Sequence, residues 1–324
     1  MVLHDGSRLT RSETDTPSAD GVDAVVAACI DQLARARSAA PHGLELAGIG
    51  ISSPGPVDPA TGVIVEPPNL GPAFRDVPIT RLVGGAFDLP TFLDRDTNVA
   101  ALGEHAFGAA RGIDSFIYVT VSTGIGGGVM DNGRILRGAD GLAGELGHVV
   151  VALDGPRCGC GGIAHVEAIA SGTGLARAAR EAVAAGESPY LARTAAAAGG
   201  PEALSARDVA QGALEGDAAC VRLMATARRA IAVACVTYVN AFNPRRIVIG
   251  GSIADAEGER LLEPVRQAIA TEVFAVIARP IRVVAAGLGP DVSLAGAWPL
   301  VHERLAGPDR APGPAATSTI PVGA

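Results

Sequence analysis

From Asp20 onward the apolar positions Val22, Val25, Val26, Cys29, Ile30 and Leu33 recur at the spacing of one helical face, which predicts a helix. Leu46 to Ile51 is an apolar run of strand length. It is followed by the loop sequence Ser-Ser-Pro-Gly-Pro-Val-Asp at 52–58, and by Ala60-Thr61-Gly62 turning into a strand over Val63–Val65. Pro90 to Leu93 predicts another strand, with Asp94 and Asp96 at its carboxyl end and a helix from Asn98 to about Ala110 behind them. Phe116 to Val121, β-branched and aromatic, predicts a buried strand; Ser122-Thr123-Gly124-Ile125-Gly126-Gly127-Gly128 turns it into a glycine-rich hairpin. Helices over Gly174–Ala184, Ala206–Leu214 and Ala218–Phe242 then alternate with strands over Arg246–Ile249 and Ile281–Ala285, before a last helix over Ser293–Leu305. The alanines at 195–198 read as a surface connection between helices, and no long-period repeat is present. This alternation is the signature of an α/β fold, in which ligands gather at the carboxyl ends of strands. Residues 306–324 lack any periodicity and are rich in Pro, Gly, Ala and Ser, so they are expected to form a disordered tail.

Composition narrows the function classes. With 324 residues, 48% of them hydrophobic, the chain is expected to build two modest cores. No stretch approaches the roughly 18 uninterrupted apolar residues of a membrane helix. Met1 to Thr16 lack the charged-then-apolar order of a secretion leader, so a reducing, cytoplasmic setting without disulfides is expected. The net charge is −8 and lysine does not occur, which leaves no basic stripe for nucleic acid. Of the five cysteines, Cys29, Cys220 and Cys235 sit in Ala-rich helical patterns and read as buried small hydrophobes. Cys158 and Cys160 stand in different company.

Four metal-type ligands, His148, Cys158, Cys160 and His165, fall within one Gly- and Pro-containing loop region. A Cys-x-Cys pair alone is weak, and two exposed thiols beside two polar histidines is the ordinary alternative. The clustering in an aperiodic segment favours a four-coordinate structural zinc site with no open position. Such an ion would fix the loop and leave the second ring nitrogen of His148 free for a ligand. Glu145, His148 and Glu167 would then offer acceptors and a donor suited to the vicinal hydroxyls of a sugar. Asp96, ahead of a helix, reads either as a helix cap or as the base that accepts a hydroxyl proton in phosphoryl transfer. The glycine loop Ser122–Gly128 and the turn Gly250-Gly251-Ser252 are candidates for cradling a nucleotide.

Taken together, these segments resemble the ROK family (repressors, open reading frames, kinases), especially its glucokinase-like members, over Val2 to about Arg304. Gly48 to Asp58 looks like the family's early loop, and Pro68-Asn69-Leu70 resembles its sugar-contacting Pro-Asn-Leu. Asp94-Arg95-Asp96-Thr97-Asn98 resembles the catalytic Glu-Asn-Asp-x-Asn segment, which places the base on Asp96. Thr123 to Gly128 is similar to a phosphate motif, with Thr123, Gly124, Gly126 and Gly127 as candidate nucleotide contacts. Ala143 to His148 is similar to the glycine-glutamate-histidine signature, Cys158 to Glu167 to the zinc signature, and Asn243 to Gly251 to the adenosine-side segment with Gly250 and Gly251.

The resemblance implies a two-lobed actin-like or ribonuclease-H-like fold. A small α/β lobe over 1–110 would be joined by the helix at 293–305, and a large lobe over 111–292 would carry the zinc loop. It further implies ATP, Mg2+ and a structural Zn2+, transfer to a hexose 6-hydroxyl with glucose first, and homodimers or homotetramers. An N-acylhexosamine kinase and a non-catalytic sugar-binding protein are the alternatives; a repressor of this family needs a helix-turn-helix that these residues do not contain. Three departures stand out. His165 replaces the third zinc cysteine. Arg95 replaces the family Asn and is expected to salt-bridge Asp94 or reach the substrate. The opening strand and Asp-x-Gly-Gly-Thr loop do not occur in the sequence, and about 15–20 further residues encoded before Met1 are expected, the length of a strand with its turn.

Overall fold

The structure, a computed structural model, describes residues 1–67, 70, 71, 74–278 and 281–307. The expected sugar contact Asn69 and nearly all of the expected tail lie outside them. The chain opens with helix α1 (Val22–Ser38) and strands β1 (Ile49–Ser53), β2 (Val57–Asp58) and β3 (Val63–Ile64). Helix α2 (Ile79–Phe87), strand β4 (Thr91–Arg95) and helix α3 (Asp96–Phe107) follow. Strands β5 (Phe116–Val121), β6 (Ile125–Asp131) and β7 (Arg134–Ile135) lead to helices α4 (Val166–Ala170), α5 (Gly172–Ala184), α6 (Pro189–Ala197), α7 (Ala206–Leu214) and α8 (Ala218–Phe242). Strand β8 (Arg246–Gly250), helices α9 (Ser252–Glu257), α10 (Glu259–Glu272) and α11 (Ala275–Ala278), strand β9 (Arg282–Ala285) and helix α12 (Val292–Ala306) complete it.

The main sheet has the order β7-β6-β5-β8-β9, with β5, β8 and β9 parallel and the β5–β6–β7 meander antiparallel. Its central strand shows why an unbroken apolar run folds this way. Side chains alternate across a strand, so Ile117, Val119 and Val121 join the core made with α5, α7, α8 and α10, while Phe116 and Tyr118 join a second core with α3 and Leu300 of α12. Both faces are covered, so both sets must be apolar. β1 and β4 form a separate parallel pair, with Ser52 opposite Asp94 and Ser53 opposite Arg95, and pack with α1 and α2 around a third core. Beside β1, at the edge of this core, runs an apolar cleft of ≈ 430 Å³ lined by Val2, Leu3, Leu33, Phe87, Trp298 and Val301.

Helix α3 is the axle between the sheets. It meets α12 backbone to backbone: a Cβ at Gly296 would lie 1.9 Å from the carbonyl oxygen of Val99, and one at Gly103 would lie 2.8 Å from that of Val292. It begins at Asp96, two residues before the expected start, because Arg95 is still extended and the Asp96 carboxylate accepts the Thr97 N–H at 2.8 Å. It ends at Phe107, short of the expected Ala110. The buried Glu104 carboxylate occupies the space a side chain at Gly108 would need and accepts N–H groups from Ala109, Gly287 and Leu288.

Three other expectations are corrected. The alanines at 195–197 continue α6, with Ala195 buried, because Ser188 caps that helix by accepting the Leu191 N–H. Cys29 lies on the exposed face of α1, whereas Cys220 and Cys235 are buried as expected. Helices α2 and α10 had no predicted counterpart: Gly84-Gly85 interrupts one and Pro264 the other, both poor helix formers.

Candidate active site

The end of β4 delivers three consecutive side chains to three different tasks. Asp94 is fully buried and its Oδ1 accepts the backbone N–H of Arg95 and the Asn98 side-chain amide, each at 2.8 Å. Its Oδ2 accepts Arg137 Nε at 2.9 Å, with Arg304 Nη2 at 3.9 Å, and Arg137 also reaches Glu303 at 3.4 Å. One carboxylate therefore ties β4, α3, the segment after β7 and α12 together.

Arg95 points the opposite way. Its guanidinium is buried, donating to the Glu145 carboxylate and to the Ala143 carbonyl, and the expected partner Asp94 receives only its backbone N–H. The side chain is held between Gly55 and Gly144, where an added Cβ would sit 3.1 and 3.0 Å from it. Among the described residues its Nε has no hydrogen-bond partner.

Asp96, the third, is open to solvent at the first position of α3. Desolvation by the surrounding walls pushes its carboxyl above the usual value. The Thr97 N–H and Arg95 pull the other way, and the nearby Glu145 charge adds to the rise. An accessible carboxylate raised by its surroundings is suited to accept a proton.

The second wall is the 145–167 region. His148 turns Nδ1 toward Cys158 Sγ at 3.8 Å and Nε2 toward Glu145 Oε2 at 3.9 Å, so one ring nitrogen faces the thiols and the other faces the cleft. Cys160 Sγ lies 3.3 Å from His165 Nδ1, and the ligand atoms of His148, Cys158, Cys160 and His165 all fall within 4.8 Å of one another. Zinc bond lengths of about 2.0–2.3 Å place tetrahedral ligands roughly 3.3–3.8 Å apart, the spacing of the Cys160–His165 and His148–Cys158 pairs, so the four residues are a candidate set of zinc ligands. Tight backbone makes the loop: Gly161 has φ +96°, and a Cβ at Gly162 would lie 2.3 Å from the His165 ring. Burial pushes the Cys158 thiol up, and Cys160 and Glu167 add to it, which is an environment that a bound cation would neutralise. Glu167, on the first turn of α4, contacts Cys158 through Oε1 at 3.6 Å and accepts the Ile125 N–H through Oε2 at 2.9 Å.

The two glycine turns meet. Ser122 Oγ lies 2.9 Å from Ser252 Oγ, so the β5–β6 turn and the turn after β8 form one rim, with Thr123 exposed on it. Gly251 has φ +97°, and a Cβ there would lie 2.6 Å from both Thr120 Oγ1 and the Val121 carbonyl. Gly126 and Gly127 have a different reason to be glycine: added Cβ atoms would meet Thr97 at 2.8 Å and Leu146 at 2.3 Å. They let β6 approach α3 and the 146–148 segment closely; at the rim itself Thr123 is the exposed residue and Gly251 makes the sharp bend, while a side chain at Gly124 would meet Glu167 and one at Gly250 would meet Ala286.

The structure thus gathers Arg95, Glu145, His148, Cys158, Cys160 and His165 as neighbours, with Glu167 bridging to the glycine turn and Asp96 on the same wall as Arg95. Sequence reasoning missed Arg137, Glu303 and Arg304, isolated charges with no local motif, and missed Glu104 for the same reason.

Comparison with known proteins identifies the family. Residues 1–304 match the ROK family. A glucokinase from Thermotoga maritima is 35% identical over 307 residues, covering 95% of this chain and 94% of its own. Among solved structures, a ROK hexokinase from Thermus thermophilus is 35% identical with a TM-score of 0.78, covering 94% of each chain. A ROK family glucokinase from Streptomyces griseus, in complex with glucose and AMPPNP, is 29% identical with a TM-score of 0.72, again covering 94% of each chain. No helix of the described residues is long and apolar enough to cross a membrane.

Proposed function

Because this chain belongs to the ROK family and has the two-lobed actin-like ATPase fold of its sugar kinases, we propose that it transfers the γ-phosphoryl group of ATP to the 6-hydroxyl of a hexose, glucose foremost. The observation that carries this reading is the juxtaposition of an accessible carboxylate of raised pKa, Asp96, with the Arg95–Glu145–His148 wall. In this reading the lobes are residues 1–110 with α12 and residues 111–292.

Asp96 takes the proton of the attacking hydroxyl as that oxygen approaches phosphorus in line. Glu145 Oε2 accepts a neighbouring sugar hydroxyl while its Oε1 stays fixed by Arg95, and His148 Nε2 donates to another. The family resemblance adds Asn69, outside the described residues, and Glu167 as further sugar contacts. The rim made by Thr123, Gly124, Gly250 and Gly251 presents backbone groups to the donor nucleotide, and Mg2+, when bound with ATP, neutralises charge on the transferring phosphate. His148, Cys158, Cys160 and His165 would hold zinc, and the bound ion would order the loop that aims His148.

The test is phosphorylation of a sugar panel (glucose, mannose, N-acetylmannosamine, N-acetylglucosamine) by purified protein with ATP and Mg2+, read as sugar 6-phosphate by phosphorus NMR. Glucose is expected to be turned over best, and Asp96→Asn to lower turnover by roughly 10²–10⁴ with sugar affinity kept. Wild-type protein that binds glucose calorimetrically yet phosphorylates no sugar would replace this reading with that of a non-catalytic sugar-binding protein; unchanged turnover in Asp96→Asn would remove the base.

A further inference from the structure

The Cys–His cluster and the glycine turn between β5 and β6 are joined from two directions. On one side, His165 immediately precedes α4, and Glu167 on that helix accepts the Ile125 N–H at 2.9 Å with one oxygen while the other lies 3.6 Å from Cys158 Sγ. The carboxylate fills the place where a side chain at Gly124 would project: an added Cβ would be 2.7 Å from Glu167 Oε2. The same run continues into α5, where the Gly172 N–H donates to the Ser122 carbonyl at 2.8 Å and the Thr173 N–H to the Thr123 carbonyl at 3.1 Å. On the other side, the segment Leu146–His148 lies flat on β6: a Cβ at Gly147 would be 1.9 Å from the Ile125 carbonyl oxygen. Buried Tyr238 pins that segment by donating to the Leu146 carbonyl at 2.6 Å. Ile125 is therefore gripped at its N–H by the segment that follows His165 and at its C=O by the segment that ends in His148.

We propose that the metal cluster sets the conformation of the Ser122–Gly128 turn, with Glu167 as the positioning residue, so that metal occupancy controls the nucleotide side of the cleft as well as the sugar side. The physical reason is geometric. A cation binding His148 and His165 together fixes the distance between the two segments that flank Ile125. Without it, the two segments keep their direct pairing, Val166 N–H to the Val149 carbonyl and Val151 N–H to the Ala164 carbonyl, each at 3.0 Å, so the ion adds the clamp between the His148 and His165 side chains that this pairing lacks. Glu167 has one oxygen committed to Ile125, so its charge acts on the turn whether or not a sugar is bound.

The control of nucleotide binding rests on the assignment of this turn to the donor phosphates under Proposed function; the mechanical coupling does not. Hydrogen exchange followed by mass spectrometry on the full chain, before and after chelator treatment, tests the coupling without any ligand. Metal removal is expected to accelerate exchange in peptides covering 122–128 by about tenfold or more, the size of one lost charge-assisted hydrogen bond, with β8 and α8 unchanged as internal controls. Glu167→Gln is expected to do the same with its zinc content retained. Unchanged exchange at 122–128 in metal-free wild-type protein whose 148–165 peptides deprotect would overturn the coupling, and that arm needs no variant to fold. Calorimetry with a non-hydrolysable ATP analogue in the absence of sugar reads the second half. Affinity should fall about tenfold, ~1.4 kcal/mol, on metal removal and in Glu167→Gln. Accelerated exchange with unchanged nucleotide affinity would keep the coupling and overturn the phosphate assignment of the turn.

Discussion

Replacing Asp94 by Asn isolates the buried hub behind the active site. The substitution keeps the shape and leaves one carbonyl oxygen to accept from the Arg95 backbone and from Asn98. The other oxygen becomes an NH2 group whose hydrogens face the guanidinium of Arg137, formerly bound at 2.9 Å. Breaking a buried ion pair by removing one partner costs about 3–5 kcal/mol, because the remaining charge is left desolvated. Asp94 is 0% exposed, but the Arg137 side chain is 22% exposed and keeps its contact with Glu303, so part of its hydration returns. A cost of about 2–4 kcal/mol is expected after that discount. At ~2–4 °C per kcal/mol for a chain of this size, the melting temperature should drop by roughly 4–16 °C. The assay is a thermal melt of Asp94→Asn, Arg137→Met and the double variant. Arg137→Met should cost much less in the Asp94→Asn background than in the parent, since there it removes an unpaired charge. A melting temperature within about 1 °C of the parent, or a strictly additive cycle, would refute the assignment of Asp94 as the hub.

Asp96→Asn should raise thermal stability at neutral pH even as it lowers turnover. A carboxyl whose folded pKa is raised supports the fold fully only below its unfolded pKa and loses that support as pH rises through the folded value, so the ionised form is the costly one. The melting difference between parent and variant should shrink as pH falls below the ordinary carboxylate range; a variant less stable than the parent at pH 7 contradicts it. Cys158→Ser and Cys160→Ser should each abolish the one tightly held zinc per chain and glucose binding with it, checked by elemental analysis and calorimetry; full zinc retention in both would exclude the cluster as the metal site. Tyr238→Phe removes the shorter of the two hydrogen bonds to the Leu146 carbonyl, leaving the Val149 N–H at 3.4 Å, and should cost about 0.5–1.5 kcal/mol in denaturant unfolding, whereas no change would mean that the 146–148 segment is held by other contacts.

What could be read along the chain was local. The apolar run at β5, the strand-then-helix order around Asp96 and the glycine-rich hairpin were legible because period, β-branching and Gly content act over a few residues. The metal cluster was legible for a similar reason. Its four ligands lie within 18 positions, 148 to 165, so a loop of any shape keeps them near one another. Helices α2 and α10 were not legible, since Gly and Pro inside them oppose the propensity that tertiary packing supplies.

The charge partners were decided by the tertiary structure. Arg95 was free on sequence grounds to bridge its neighbour Asp94, but the strand–helix junction sends adjacent side chains in opposite directions and gives Arg95 to Glu145, 50 residues away. Asp94 is left to Arg137, from the segment after β7, and to Arg304, brought to it by the close α3–α12 crossing at Gly103 and Gly296. Glu167 shows the same division. Its place in the zinc signature is sequential, but its grip on Ile125 exists only because α4 folds back over the β5–β6 turn. A single chain specifies which groups are present and their spacing. Which buried charge satisfies which is settled by the packing that excludes water from both, because only there does an unpaired charge cost enough to choose a partner.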